Sequence, residues 1–303
     1  MHPENKSEKI MLCATVVLAL LCAAGIAVGT ENDLVIAQAL HAPDNVFWRV
    51  FTILGMYPFM ALWVLYMGVI CRQVRSSGIS GKKKTAWTVV CGYLGLSTSV
   101  VCSWAMFAAD TVGGVLPQTI NNPPVIAAGA LFGVYPLFFV GLFTSKKEYD
   151  KRLMKRLIVL CSVMLAALML MGMLKLGFSR PRYRLLIQDI PGVDFQPWYL
   201  PFVGSDELIR ELGLDWNNFR SFPSGHVLQS MSLIFVLPPL AEIYGSRGNR
   251  NVLLYTAGTV FAVLVGISRM VMGAHFLSDI CAGALLAIMF AFADFVLAKK
   301  MRS

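Results

Sequence analysis

The chain has 303 residues, of which 57% are apolar and only 14% are charged, and its mean hydropathy is +0.66. Soluble domains carry about a quarter charged residues, so this composition excludes a soluble globular protein and a disordered chain. The net charge of +9 comes mostly from short segments between apolar stretches. Basic residues at such places orient a membrane protein rather than bind nucleic acid. We therefore expect an all-α integral membrane protein without a nucleic-acid partner.

Eight stretches can cross a bilayer as helices, for which about 20 mostly apolar residues are needed. The first is predicted to be a retained span rather than a removed signal peptide. The segment after it, Glu31–Asn45, has helical spacing of apolar residues and is predicted to lie along the membrane interface as part of an outer loop. The eight stretches are Ile10–Gly29, Phe47–Ile70, Ala86–Ala109, Val125–Phe143, Leu157–Leu174, Val227–Tyr244, Val252–Ser268 and Phe276–Ala298.

The loops between these spans alternate in charge. Both termini and the segments Arg72–Lys84, Lys146–Arg156 and Arg247–Arg250 hold most of the basic residues, so the positive-inside rule places them in the cytoplasm. The predicted location is the cytoplasmic membrane, crossed several times. Basic residues on the other side oppose this orientation bias, which indicates a local role. They are Arg49, Lys175, Arg180, Arg182, Arg184, Arg210, Arg220 and Arg269.

The chain is predicted to divide into an N-terminal part, 1–156, with four spans and a C-terminal part, 157–303, with the other four. The C-terminal part includes a long outer loop at 176–225, and a loop of that length is usually functional. Trp198 and Trp216 in this loop suggest a gate for substrate at the headgroup layer. The seven cysteines lie in or beside apolar stretches, which indicates buried thiols rather than disulfides.

Three polar clusters fall on the predicted outer side. In Ser268–Asp279, His275 and Asp279 have the i, i+4 spacing that would let the carboxylate orient the imidazole as a nucleophile. The alternative is an ordinary interfacial histidine beside a helix-packing acid. In Phe222–His226, Gly225 opens a helix whose N-terminus suits a phosphate, Ser224 can cap that helix, and His226 lies beside it. A plain helix start is the alternative here.

The third cluster, Lys175–Arg184, carries four cations in ten residues. Guanidinium groups match phosphate oxygens, although a patch that holds lipid headgroups is an alternative. Taken together, the cations, the helix start and the two histidines favour phosphoryl transfer through a phosphohistidine.

These residues resemble the signatures of the type 2 phosphatidic acid phosphatase (PAP2) superfamily. Pro223-Ser224-Gly225-His226 resembles its second signature and Ser268-Arg269-x5-His275-x3-Asp279 its third. The first signature, Lys-x6-Arg-Pro, fits Lys175-x6-Arg182 except that Tyr183 replaces the proline. The pair Arg180-Pro181 has the Arg-Pro sequence of this signature but the wrong distance from Lys175. Whether Arg180 or Arg182 is the signature arginine is therefore left open. The resemblance covers about Leu157–Ala298 and implies a six-helix core, to which this chain adds a hairpin of unknown purpose.

The resemblance implies a metal-independent phosphatase, without a cofactor, that removes a terminal phosphate from a lipid phosphate or diphosphate on the extracytoplasmic face. Phosphatidate, phosphatidylglycerol phosphate and polyprenyl diphosphate are candidate substrates, presented by the surrounding membrane lipids. A phosphotransferase with the same intermediate and a non-enzymatic lipid-binding or transport protein are the alternatives. The oligomeric state is left open. The implied catalytic residues are His275, His226 and Asp279, and the implied phosphate ligands are Lys175, Arg182, Ser224, Gly225 and Arg269, with Arg180 as an additional candidate.

Overall fold

The computed structural model describes residues 3–107, 122–244 and 249–301, and all regular structure in these ranges is helical. The predicted all-α architecture is therefore confirmed for the part of the chain that is described. The helices are α1 (Pro3–Leu40), α2 (Val46–Leu54), α3 (Tyr57–Ser76), α4 (Gly81–Phe107), α5 (Pro123–Ala128) with a π-helical continuation (Gly129–Val134), α6 (Pro136–Thr144), α7 (Lys151–Phe178), α8 (Tyr183–Leu186), α9 (Ser205–Leu212), a 3-10 turn (Trp216–Phe219), α10 (Gly225–Met231), α11 (Leu233–Val236), α12 (Pro239–Ile243), α13 (Asn249–Val271) and α14 (Leu277–Lys300).

Eight helical segments in the described ranges are long and apolar enough to cross a membrane. Each overlaps one of the eight predicted stretches, although the last residues of the Ala86–Ala109 prediction lie outside the described residues. Several of these segments consist of consecutive shorter helices, because prolines interrupt the backbone hydrogen-bond ladder. The sixth, Gly225–Ile243, breaks in this way at Pro238-Pro239. Which side of the membrane the termini occupy stays a prediction.

The first helix is longer than the sequence indicates. The segment Glu31–Asn45 was predicted to leave the first span and lie along the interface, but α1 continues without a break to Leu40. Asp33 is 2% exposed within this extension. A buried carboxylate interrupts the run of apolar residues by which a span is recognised. The predicted span therefore ends before the helix does. Burial is tolerated here because Asp33 has a cationic partner, described below.

The helices on which the candidate residues lie pack around α10. This short helix is buried along its whole length and contacts α7, α13 and α14. The N-terminal part also contributes, since α1 packs along α14 and α2 packs against α13. One continuous hydrophobic cluster includes buried residues from both the N-terminal and the C-terminal part of the chain. The predicted division at residue 156 therefore falls within a single packed core.

Candidate active site

Three chain segments meet at one end of α10. They are the end of α7 with the residues after it, the loop that enters α10, and the turn between α13 and α14. Backbone hydrogen bonds tie them together: Ser221 N–H donates to the Arg180 carbonyl at 3.0 Å, and Ser224 N–H donates to the Asp279 carbonyl at 3.0 Å. Arg184 N–H donates to the Gly273 carbonyl at 2.9 Å. The three clusters predicted from the sequence are thus parts of one site.

The imidazole of His275 lies at the centre of this site and is 1% exposed. Its Nδ1 lies 2.7 Å from the Ser221 carbonyl oxygen, which can only accept a hydrogen bond. Nδ1 must therefore carry the proton, and the Nε2 lone pair is left for chemistry. Burial lowers the His275 pKa well below its usual 6.5; the Asp279 carboxylate opposes this shift, and the nearby cations of Lys175, Arg269 and Arg182 add to it. This environment favours a neutral, nucleophilic imidazole.

Asp279 is connected to His275 in two ways. The sequence spacing predicts direct support of the ring by this carboxylate, and His275 Nδ1 lies 3.8 Å from Asp279 Oδ2, within ion-pair distance. Ser221 adds a second link, because it donates its hydroxyl to Asp279 Oδ2 at 2.5 Å and accepts from the imidazole through its carbonyl. The Phe276 N–H also donates to Oδ2, at 2.8 Å. Asp279 therefore holds the loop and the helix start that place the ring.

Arg180 and Arg182 have different environments. Arg180 donates from Nη1 to Asp279 Oδ1 at 2.5 Å, from Nη2 to Asp33 Oδ2 at 2.9 Å and from Nε to the Gln196 carbonyl at 2.7 Å. Arg182 donates from Nη2 to the amide oxygen of Asn217 at 3.3 Å, a neutral partner. Two carboxylates of the protein thus neutralise Arg180, and the charge of Arg182 acts on His275.

The loop that enters α10 has the form expected from its sequence. Ser224 is fully buried and caps the helix, accepting from Val227 N–H at 3.5 Å. The expected capping role of Ser224 is therefore confirmed. Gly225 faces α7, where an added Cβ would lie 3.5 Å from Lys175 Cε, and Lys175 Nζ donates to the Arg220 carbonyl at 2.6 Å.

The two remaining candidates, His226 and Arg269, also reach this site. His226 is 8% exposed at the first turn of α10, and Arg269 is fully buried in the last turn of α13. The Arg269 carbonyl accepts from the N–H groups of both Ala274 and His275, at 3.0 and 3.2 Å, and so fixes the turn that carries the histidine. Every predicted catalytic and phosphate-binding residue thus lies on or next to the three segments that meet at one end of α10.

The N-terminal helices supply contacts that sequence reasoning missed. Asp33 of α1 accepts from the backbone N–H of Ser278 at 3.0 Å, in addition to its ion pair with Arg180. Thr52 of α2 donates to the Ser268 hydroxyl at 3.2 Å, and an added Cβ on Gly55 would lie 3.1 Å from the His226 ring. The one available signal for Asp33 is an acid near the end of a long apolar stretch, and Glu31 beside it gives the same signal. Nothing in the sequence distinguishes Ser221 or Thr52 from other hydroxyl residues.

The chain resembles known proteins in the segment that carries this site. Residues 156–302 match the family described as PAP2 superfamily. This segment, just under half of the chain, is therefore similar to members of the PAP2 superfamily. Phosphatidylglycerophosphatase B from Bacillus subtilis is 37% identical over 106 residues, which cover 29% of this chain and 51% of that protein. The chain thus spans about half the length of this relative. No solved structure matches this chain significantly. The matched segment contains the whole predicted active-site set, whereas Asp33, Thr52 and Gly55 lie outside it.

Proposed function

We propose that this protein is a membrane lipid phosphatase that works through a phosphohistidine on His275. The observation that carries the proposal is the environment of this ring, with Nδ1 bound to the Ser221 carbonyl and cations of Lys175, Arg182 and Arg269 around it. A neutral imidazole with one available lone pair beside several cations is suited to attack an anionic phosphorus centre.

In the first half-reaction, His275 Nε2 forms a bond to phosphorus while the bond from phosphorus to the lipid oxygen breaks. His226 gives its proton to that leaving oxygen as the general acid. The side chains of Lys175, Arg182 and Arg269 neutralise the phosphoryl oxygens, with Ser224 and the Gly225 N–H completing the cradle. The positive charge that develops on His275 is stabilised by Asp279 through the Ser221 bridge.

In the second half-reaction, the now neutral His226 takes a proton from water, whose oxygen attacks phosphorus. The bond from phosphorus to Nε2 of His275 breaks, and the electron pair returns to the imidazole. Inorganic phosphate leaves, and both histidines regain their starting protonation states. Arg180 touches no phosphate oxygen in this scheme, because Asp33 and Asp279 already engage its guanidinium. Arg182 therefore serves as the arginine of the first signature.

The substrate is proposed to be a lipid phosphate or diphosphate. Eight apolar helices would hold the protein in a bilayer, and the candidate active site lies at their ends, where headgroups are found. The charge distribution along the chain favours the extracytoplasmic face of the cytoplasmic membrane. The name of the relative makes phosphatidylglycerol phosphate the first substrate to test, followed by phosphatidate and polyprenyl diphosphate.

The proposal is tested by release of inorganic phosphate from these lipids in detergent micelles with EDTA present. Wild-type protein should release phosphate, and folded His275→Ala protein should release none. Release that persists in His275→Ala would overturn the assignment of the nucleophile. Loss of lipid phosphate without free phosphate, but with a second phosphorylated lipid, would identify a phosphotransferase instead. No turnover of any lipid by folded wild-type protein would favour a non-enzymatic lipid-binding protein.

A further inference from the structure

An ion-pair network joins α1 to the candidate active site. Arg180 lies between two buried carboxylates and donates to Asp33 at 2.9 Å and to Asp279 at 2.5 Å. Ser278 extends the network, since its backbone N–H donates to Asp33 at 3.0 Å and its hydroxyl oxygen lies 2.9 Å from Arg180 Nη1. Arg180 and both acids have side chains no more than 1% exposed.

The network continues from Arg180 to the ring of His275. The guanidinium of Arg180 holds the carboxylate of Asp279, and the backbone carbonyl of Arg180 accepts from Ser221 N–H at 3.0 Å. Ser221 bridges the Asp279 carboxylate and His275 Nδ1. A displacement of Arg180 would therefore move Ser221 by two routes. One is the hydrogen bond to the backbone carbonyl of Arg180, and the other is the carboxylate of Asp279. Ser221 sets the direction of the imidazole.

We propose that Asp33 is a positioning residue for the phosphoryl-transfer site, an inference that rests on the proposed function. It fixes the Arg180 guanidinium between two carboxylates, so that Asp279 and Ser221 hold the imidazole of His275 in its reactive direction. Asp33 contacts neither phosphate nor the attacking nitrogen. Buried ion pairs stabilise a fold weakly, because desolvation offsets their attraction, so the role of this pair is geometric. Helix α1, which lies outside the matched segment, thus supplies part of the active-site support.

The central variant is Asp33→Asn in the full-length protein in detergent micelles, assayed on the lipid phosphate that wild type hydrolyses fastest. Without the second carboxylate, the guanidinium of Arg180 shifts towards Asp279. Misplacement of a catalytic group by about 1 Å can cost on the order of 100-fold, so we expect kcat to fall about 10-fold to 100-fold while KM changes little. Asp33→Glu keeps the charge and should recover part of kcat.

Glu31→Gln is the matched control, because it neutralises an exposed acid two residues away on the same helix. It should retain wild-type kcat. Unchanged kcat in folded Asp33→Asn protein would overturn the inference. If wild type is active and His275→Ala is inactive in the same assay, that overturning result leaves the proposed function intact.

A double-mutant cycle with Arg180→Gln separates positioning from helix packing. If Asp33 acts through Arg180, Asp33→Asn should cost nothing further in the Arg180→Gln background. An equal loss in both backgrounds would mean that Asp33 only packs α1 against α14 and would overturn the inference. If Asp33→Asn alone does not fold, the double variant can still be compared with Arg180→Gln, because the double variant lacks both charges of the pair. Equal kcat in these two proteins would support positioning through Arg180, and a lower kcat in the double variant would overturn it.

Discussion

The close approach of α14 to the loop before α10 provides a sharp test of the site geometry. An added Cβ on Gly283 would lie 2.4 Å from the Ser224 carbonyl oxygen and 3.3 Å from its carbonyl carbon. Both are backbone atoms, so no flexible side chain can move aside. Contacts of this kind are ordinary from about 3.4 Å, so Gly283→Ala should separate the two segments by about 1 Å.

This separation moves the residues on α10 away from those on α14. Ser224 and His226 would shift relative to His275, and the hydrogen bond from Ser224 N–H to the Asp279 carbonyl would lengthen. A shift of about 1 Å predicts a loss in kcat on the order of 100-fold. Overpacking costs about 1–3 kcal/mol of stability, but alanine in place of glycine returns about 1 kcal/mol of helix propensity. Activity should therefore fall much further than stability.

The assay combines phosphate release with thermal unfolding of the same purified protein in detergent. Gly172→Ala is the matched control, because this α7 glycine has nothing within 4 Å of an added Cβ. The control should keep wild-type kcat and unfold at the same or a slightly higher temperature. Wild-type turnover in folded Gly283→Ala protein would refute the account of how α14 and α10 place the two histidines.

Three further predictions concern charge and access. Because the His275 pKa is lowered by burial and nearby cations, the unfolded chain binds a proton near pH 6.5 that the native chain does not. As the pH drops below about 6.5, the unfolding temperature of the wild type should therefore fall more steeply than that of His275→Gln. Parallel curves would contradict this. Arg182→Lys should weaken inhibition by inorganic phosphate about 10-fold, because the guanidinium fork is lost. Arg180→Lys should lower kcat with little change in that inhibition, and the reverse pattern would exchange the roles of the two arginines. Trp198 donates its indole N–H to Thr30 at 2.9 Å and stacks on Phe222. Trp198→Ala should therefore change the ratio of turnover on lipid phosphates to turnover on soluble phosphate esters. An unchanged ratio would argue against gating by this loop.

Apolar stretches and the motif spacing predict much of this molecule. Long apolar runs identify the eight helices because a bilayer-crossing backbone must satisfy its own hydrogen bonds. The positions of Ser224 and His275 follow from local signals, a helix cap in one case and a motif in the other. These features depend on neighbours close in the sequence.

Long-range contacts are where sequence reasoning fell short. The ion pair of Asp33 with Arg180 joins residues 147 positions apart, and no local sequence pattern predicts it. The same pair explains how Asp33 can be buried where α1 continues past its predicted end. The choice between Arg180 and Arg182 is open in the sequence for the same reason, since only the fold shows that Arg180 lies between two carboxylates. The spacing of His275 and Asp279 predicts their pairing, but the additional link through Ser221 depends on a residue more than 50 positions earlier in the chain.

The most direct test of the central claim is detection of the covalent intermediate. Protein mixed with the preferred lipid phosphate and quenched rapidly should carry an acid-labile, base-stable phosphoryl group, located on His275 by mass spectrometry. With an aryl phosphate such as p-nitrophenyl phosphate, whose leaving group needs no general acid, the His226→Ala variant should accumulate more of it, because the base that activates water is gone. Steady phosphate release with no phosphoryl group on His275, in both wild type and His226→Ala, would contradict the mechanism.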